Sequence, residues 1–279
     1  MTVSELLAEA CARLAAAGSD EPQASAQWLL AHVLGVSRTW VIANGGYEMA
    51  EKEVRLLNTL LARKADGEPL AYITGSQPFC GLDIIVTPDV LIPRPETEDL
   101  VEKVSVLFER KGHYTFLDMC TGSGCIAAAL AVQFPNARVL AADISEKALR
   151  VAAQNVRKHK LQERVQLLQS NLWENITGTF DLIISNPPYI PSADLAGLTR
   201  EVKREPKPAL DGGADGYDVI RPLCSVADNY LSKGGWLALE VNDGQPWPLA
   251  RGLAQIGWRA EVKKDIFNVE RFVLAQKNG

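Results

Sequence analysis

The run Asp181-Leu182-Ile183-Ile184-Ser185-Asn186-Pro187-Pro188-Tyr189 is an apolar stretch that stops abruptly at a polar and proline corner. A short apolar run bounded by a turn signal reads as a strand buried on both faces, the kind found in parallel sheets. In open α/β sheets the loops leaving the carboxyl ends of the strands form the ligand crevice, so the run predicts that Asn186 stands at a crevice. Pro187 keeps Asn186 out of the helical region, and the two prolines fix φ and remove two backbone donors. The corner that results is rich in acceptors: the Asn186 side-chain oxygen and the Pro187 carbonyl, beside the flat face of Tyr189. It suits a planar NH2 group conjugated to a carbonyl or a ring. With both hydrogens bound, the lone pair of such a nitrogen turns toward an electrophile, and the implied partner is a methyl sulfonium. For Asn-Pro alone an ordinary turn is the simpler reading; Asn-Pro-Pro-Tyr after an apolar strand favours the functional one.

Strands and helices alternate outward from this run. Upstream lie the strand Thr115 to Met119, a glycine turn, a helix through Phe134, the strand Arg138 to Ala142, a helix from Glu146 to His159 and the strand Val165 to Gln169. Downstream come a long loop, a helix from about Tyr217, the strand Gly235 to Val241, a helix near Trp247 to Ile256, and the strands Trp258 to Val262 and Arg271 to Ala275. This is a doubly wound, Rossmann-like α/β sheet of about seven strands, whose last two are joined by a short loop and are expected to be antiparallel. The turn Asp118-Met119-Cys120-Thr121-Gly122-Ser123-Gly124-Cys125-Ile126-Ala127 satisfies the G-x-G-x-x-A fingerprint, in which glycines let the backbone approach a ligand. Asp143, at the tip of the next strand, is spaced to accept both ribose hydroxyls of an adenosine. The pattern alone fits NAD and S-adenosylmethionine equally. The absence of a second nucleotide-binding half, and a central strand that ends in an amine-presenting corner, favour S-adenosylmethionine. Asn171 and Leu172 follow the third strand, where Asn171 is a candidate for the adenine edge and Leu172 for its face; a loop Asn beside core residues is the plainer alternative.

The first 68 or so residues read as helices. Thr2 with Glu5 makes a capping box, and Leu6, Leu7, Ala10 and Leu14 form a stripe that ends at Gly18. Asp20 with Gln23 repeats the capping pattern before Trp28, Leu29, His32 and Val33, and a further helix carries Val54, Leu57, Leu60 and Leu61. His32 is expected to be a packed core histidine. The texture from Asp66 to Pro93 predicts a β-hairpin connector turning near Cys80-Gly81. The expected organisation is therefore a helical domain over 1–68, a connector over 69–93 and a catalytic domain over 94–279. Arg94, held extended between Pro93 and Pro95 at an acidic helix start, reads either as an ordinary helix N-terminus or as a stiff lid over the crevice.

The chain has 279 residues, 29 Lys and Arg against 34 Asp and Glu, and a net charge of −5. That balance lacks the clustered basic residues that phosphate backbones demand, so direct nucleic-acid binding is not expected. The five cysteines, Cys11, Cys80, Cys120, Cys125 and Cys224, show no metal-type pairing, no metal site is expected, and they read as reduced thiols of a cytoplasmic protein. No run approaches the roughly 20 apolar residues of a spanning helix, and the start of the chain fits neither a secretory signal nor a transit peptide, so no membrane partner is expected.

These residues together resemble the HemK/PrmC-type glutamine methyltransferases that modify class 1 peptide chain release factors, almost end to end. The likeness is carried by the N-terminal helices, Leu91-Ile92-Pro93-Arg94-Pro95-Glu96-Thr97-Glu98, Asp118 to Gly124, Ser185 to Tyr189, and Glu205-Pro206 through Ala209-Leu210 to Gly212-Gly213 and Asp215-Gly216. Asn-Pro-Pro-Tyr itself is shared with adenine methyltransferases; Pro-Arg-Pro-Glu-Thr-Glu and the N-terminal helices make the likeness specific. The resemblance implies a class I methyltransferase sheet. It also implies that Cys120, Thr121, Gly122, Ser123, Gly124, Asp143, Asn171 or Leu172, and Asn186 contact S-adenosylmethionine. Asn186, Pro187, Pro188 and Tyr189, with Arg94 and Glu96 beside them, would receive the glutamine of a Gly-Gly-Gln loop, and Asn186, Pro187 and Tyr189 would carry the chemistry. Two family glycines are replaced by Asn242 and Asn268, the residue type that best tolerates positive φ, so the backbone shape is expected to survive. An adenine-N6 nucleic-acid methyltransferase and a catalytically silent partner protein are the competing readings.

Overall fold

The computed structural model describes residues 1–277. Two compact units are present, one of Met1–Ser76 with Thr199–Arg204, the other of Gln77–Leu198 with Glu205 onward. The expected boundary at residue 68 thus falls eight residues later, because Leu70–Thr74 forms a short helix whose Ile73 joins the helical core. The hairpin expected as a separate connector joins the second unit.

The first unit comprises α1 (Val3–Ala16), α2 (Pro22–Leu34), α3 (Arg38–Ala43), α4 (Glu51–Ala65) and α5 (Leu70–Thr74). The capping box of α1 forms as expected: Thr2 Oγ1 accepts from the Glu5 amide and Glu5 accepts from the Thr2 amide. The second capping pattern does not. Helix α2 starts at Pro22, so Glu21 and not Asp20 stands at its N-cap, and no side chain caps it. Leu6, Leu14, Leu29, Leu30, Val41 and Leu57 meet in one buried cluster. His32 is exposed and Trp28 is 41 % exposed, so the face expected to be apolar core is turned outward there.

After Ser76, the first residue of β1 (Ser76–Phe79), the second unit takes in the rest of that strand, its hairpin partner β2 (Leu82–Ile85) and α6 (Pro95–Ser105). Seven further strands form one sheet: β3 (Thr115–Met119), β4 (Arg138–Asp143), β5 (Val165–Gln169), β6 (Phe180–Ser185), β7 (Leu231–Glu240), β8 (Arg259–Lys264) and β9 (Glu270–Gln276). Their order is β5-β4-β3-β6-β7-β9-β8, parallel except for β9, which runs antiparallel to β7 and, as expected, to β8. Helices α7 (Cys125–Gln133), α8 (Glu146–Lys158), α9 (Ile220–Val226) and α10 (Pro246–Gln255) complete the layers. The strand order reverses between β3 and β6, which opens the crevice at their carboxyl ends. The hairpin is fastened to α8: buried Asn155 accepts from the Ile85 amide and donates to its carbonyl. Asn268 adopts φ 65°, as its replacement of glycine predicts, whereas Asn242 does not have positive φ and the left-handed residue of that turn is Gly244. Among the described residues no helix is long and apolar enough to cross a membrane.

Candidate active site

A cavity of about 1000 Å³ lies at the carboxyl ends of β3, β4, β5 and β6. Cys120, Thr121, Gly122, Ser123, Asp143, Asn171, Leu172, Asn186, Pro188 and Arg94 all line it. Four candidates are brought close without reaching its wall. Gly124 sits behind the loop with φ 77°, and a Cβ there would stand 3.1 Å from Ala152 Cβ, so this glycine lets α7 pack on α8. Pro187 is buried and Glu96 is half-buried at the start of α6. Tyr189, expected to offer its ring face, donates its hydroxyl to Glu240 Oε1 at 3.3 Å, and its carbonyl accepts from Gln245 Nε2 at 3.2 Å. Its hydroxyl and carbonyl fix it at the corner, and burial pushes its phenol up.

The glycine loop is shaped by two acids. Asp118 is fully buried, its Oδ2 accepting from the Thr121 hydroxyl at 2.5 Å and from the Ala127 amide at 3.0 Å. Burial raises its carboxyl to about 7. Asp143 reaches back from β4, with Oδ2 taking the Gly122 amide at 2.9 Å and Oδ1 the Ser145 amide at 2.8 Å. Burial raises Asp143 too, against these amides. Asn155 donates to the Ser123 carbonyl at 2.9 Å, so one side chain ties the loop to the hairpin. Asn171 donates to Glu174 at 2.9 Å, and Leu172 takes the left-handed conformation at φ 48°.

On the opposite wall, Ser185 donates to the Met119 carbonyl at 2.6 Å and locks the tip of β6 to that of β3. Asn186 Nδ2 donates to Thr97 Oγ1 at 3.0 Å, and Thr97 donates to Glu240 Oε2 at 2.7 Å. Burial lifts Glu240 to about 7. Arg94 pairs with buried Glu205, which also accepts from the Ile92 amide at 2.9 Å. The proline-flanked segment is thus tied down at the crevice mouth, and Arg94 is both a helix N-terminus and part of the wall. Thr97, Glu205 and Glu240 were not legible as site residues: nothing local marks a threonine in an acidic first turn, or two glutamates more than a hundred residues away, as partners.

Residues 5–75 match the family model "PrmC N-terminal domain" and residues 97–202 match "Methyltransferase small domain". The release factor glutamine methyltransferase of Geobacter sulfurreducens is 44 % identical over 235 residues, covering 83 % of this chain and 81 % of that one. That of Deinococcus radiodurans is 39 % identical over 280 residues, with 100 % of both chains covered. The chain belongs to the release factor glutamine methyltransferase family. Among solved structures, a methyltransferase from Pyrococcus furiosus aligns with a TM-score of 0.53 at 22 % identity, covering 71 % of this chain and 90 % of that one. That likeness shows the fold. For a member of this methyltransferase family, the doubly wound sheet and helical N-terminal region are as the sequence predicts.

Proposed function

We propose that this chain methylates the side-chain amide nitrogen, N5, of the glutamine in the Gly-Gly-Gln motif of a class 1 peptide chain release factor, using S-adenosylmethionine. The observation that carries this reading is that Asn186 and Pro188, which flank Pro187 in the acceptor corner, and the glycine loop with Asp143 line one crevice. The loop has the features an adenosyl ligand needs. Asp143 Oδ1 and Oδ2 each accept a backbone amide, and the carboxylate keeps acceptor capacity for a ribose hydroxyl. Ser123 Oγ is buried at the cavity wall, and nothing lies within 4 Å of where a Gly122 Cβ would point. Asn171 and Leu172 would hold the base. When bound, S-adenosylmethionine supplies a sulfonium methyl: the S–CH3 bond breaks with its electron pair left on sulfur, an N–CH3 bond forms on the amide nitrogen, and one N–H proton leaves to solvent.

The chain's own residues need supply no general acid and no metal for that transfer. Asn186 Oδ1 and the Pro187 carbonyl accept the two amide hydrogens, which turns the nitrogen lone pair out of conjugation and toward the methyl. The rigid proline pair fixes the angle between the two acceptors, so orientation accounts for the acceleration. Arg94 and Glu96 stand beside the entering loop. Residues 1–76, with a hydrophobic core of their own, are assigned to recognition of the intact factor. All five cysteines are free thiols, as suits a reducing cytoplasm. Transfer of label from methyl-labelled S-adenosylmethionine tests the assignment with three acceptors: release factor, RNA and adenine-containing DNA. Label is expected in release factor alone; label in either nucleic acid, with none in the protein, would move the activity to an adenine amine.

A further inference from the structure

An asparagine can face a crevice with its oxygen or with its NH2, and only the oxygen accepts from a substrate amide. Around Asn186 the choice is made by neighbours. Asn186 Nδ2 donates to Thr97 Oγ1 at 3.0 Å, and the Thr97 hydroxyl spends its one hydrogen on Glu240 Oε2 at 2.7 Å. The other oxygen, Glu240 Oε1, accepts from the Tyr189 hydroxyl at 3.3 Å. Thr97 is 3 % exposed and Glu240 1 %, so water does not offer substitute partners.

On the amide-methylation reading above, we infer that Glu240 and Thr97 are positioning residues, a hydrogen-bond relay that locks Asn186 with its oxygen toward the substrate and holds Tyr189 at the far end of the same corner. The polarity follows from the inventory of donors. An ionised Glu240 only accepts, so Thr97 must donate to it and is left as an acceptor toward Asn186. Reversing the amide would set two acceptors against each other in a buried site, a bias of about ten- to a hundredfold toward the productive rotamer. A protonated Glu240 removes that bias: it can donate to Thr97, Thr97 can donate to Oδ1, and the NH2 then faces the crevice. Burial, with Glu96 nearby, raises the Glu240 carboxyl to about 7, while the Thr97 and Tyr189 hydroxyls and Arg271 pull it down. Arg271 is itself paired with Asp265 at 2.7 Å. The relay is therefore set on the alkaline side of neutrality and lost on the acid side.

The test is steady-state kinetics of the full-length enzyme on intact release factor, with S-adenosylmethionine affinity measured by calorimetry as the check on folding. Thr97→Val is expected to lower kcat about ten- to a hundredfold, with KM for the factor and cofactor affinity within about threefold of wild type. Thr97→Ser, which keeps the hydroxyl, stays within about threefold of the wild-type kcat. Wild-type kcat rises between about pH 6 and 8, and Glu240→Gln, whose amide serves either polarity, flattens that rise. Equal kcat for Thr97→Val and wild type, equal losses in the Val and Ser variants, or an unchanged pH rise in Glu240→Gln overturns the relay alone. If Glu240→Gln fails to bind cofactor, the Val and Ser pair and the wild-type profile decide. A wild-type enzyme that leaves release factor unmethylated overturns the substrate reading, and the relay with it, before any variant is measured.

Discussion

Asp143 is held before any ligand arrives, since the Gly122 and Ser145 amides already fix both its oxygens. Removing it should cost a charged hydrogen-bonding partner that S-adenosylmethionine and its demethylated product use alike. Asp143→Ala is expected to weaken both by about ten- to a hundredfold in calorimetry, with the fold intact; unchanged affinity for both would take Asp143 out of the site. Glu240 makes a prediction about stability as well. Its folded value of about 7 lies above its ordinary 4.5, so between those values the folded chain binds a proton that the unfolded chain has lost. Unfolding then releases a proton, and the group's contribution falls as pH rises, by up to about 3 kcal/mol once pH passes 7. In urea titrations from about pH 5 to pH 8, Glu240→Gln should gain stability relative to wild type; parallel curves would show that Glu240 is not raised. Asn186 was legible because its strand and prolines adjoin it in sequence. The partners that orient it were not, because a hydrogen bond between α6 and the tip of β7 leaves no local pattern.

Strand β6 and the glycine loop could be read directly, since an apolar run and a positive-φ turn are both local signals. Helices α3 and α5 escaped reading because six and five residues give too few turns for a periodic stripe. Strand β7 begins at Leu231, before the glycines that mark its expected start, and its pairing with β6 shifts register there. The hairpin was legible as a hairpin; its attachment was not, because it depends on Asn155, a polar residue on the apolar stripe of α8 whose partners lie about 30 and 70 residues away and leave no local pattern. Asn155 is fully buried and makes three side-chain hydrogen bonds, to the Ile85 amide, the Ile85 carbonyl and the Ser123 carbonyl. Asn155→Ala leaves those groups without partners and is expected to lower stability by about 1–3 kcal/mol in urea unfolding. Because Ser123 belongs to the cofactor loop, cofactor affinity should fall as well. A loss below about 0.5 kcal/mol would mean the hairpin is held by apolar packing alone.

A glutamine amide is common on protein surfaces, so choosing one requires contacts away from the reacting nitrogen, and the helical unit is the surface assigned to that task. It has its own core, from Val3 to Ile73, and two ion pairs to a distant segment: buried Lys64 with Glu201, and exposed Asp66 with Arg204. A fragment of residues 1–76 strands that lysine, and so needs Lys64→Met to avoid an uncompensated buried charge. Such a fragment, once shown to be helical by circular dichroism, should inhibit methylation of intact release factor by the full chain and leave methylation of a short glutamine peptide untouched. A helical fragment that inhibits neither would move recognition into the second unit. The account as a whole stands on one product. Purified release factor, incubated with this protein and S-adenosylmethionine and fragmented for tandem mass spectrometry, should carry one added methyl on the side-chain nitrogen of the Gly-Gly-Gln glutamine. With Asn186→Ala the same product should form at least about a hundredfold more slowly, as loss of an aligned transition-state hydrogen bond requires. A methyl on any other residue, or an undiminished rate in the Asn186→Ala variant, would contradict it.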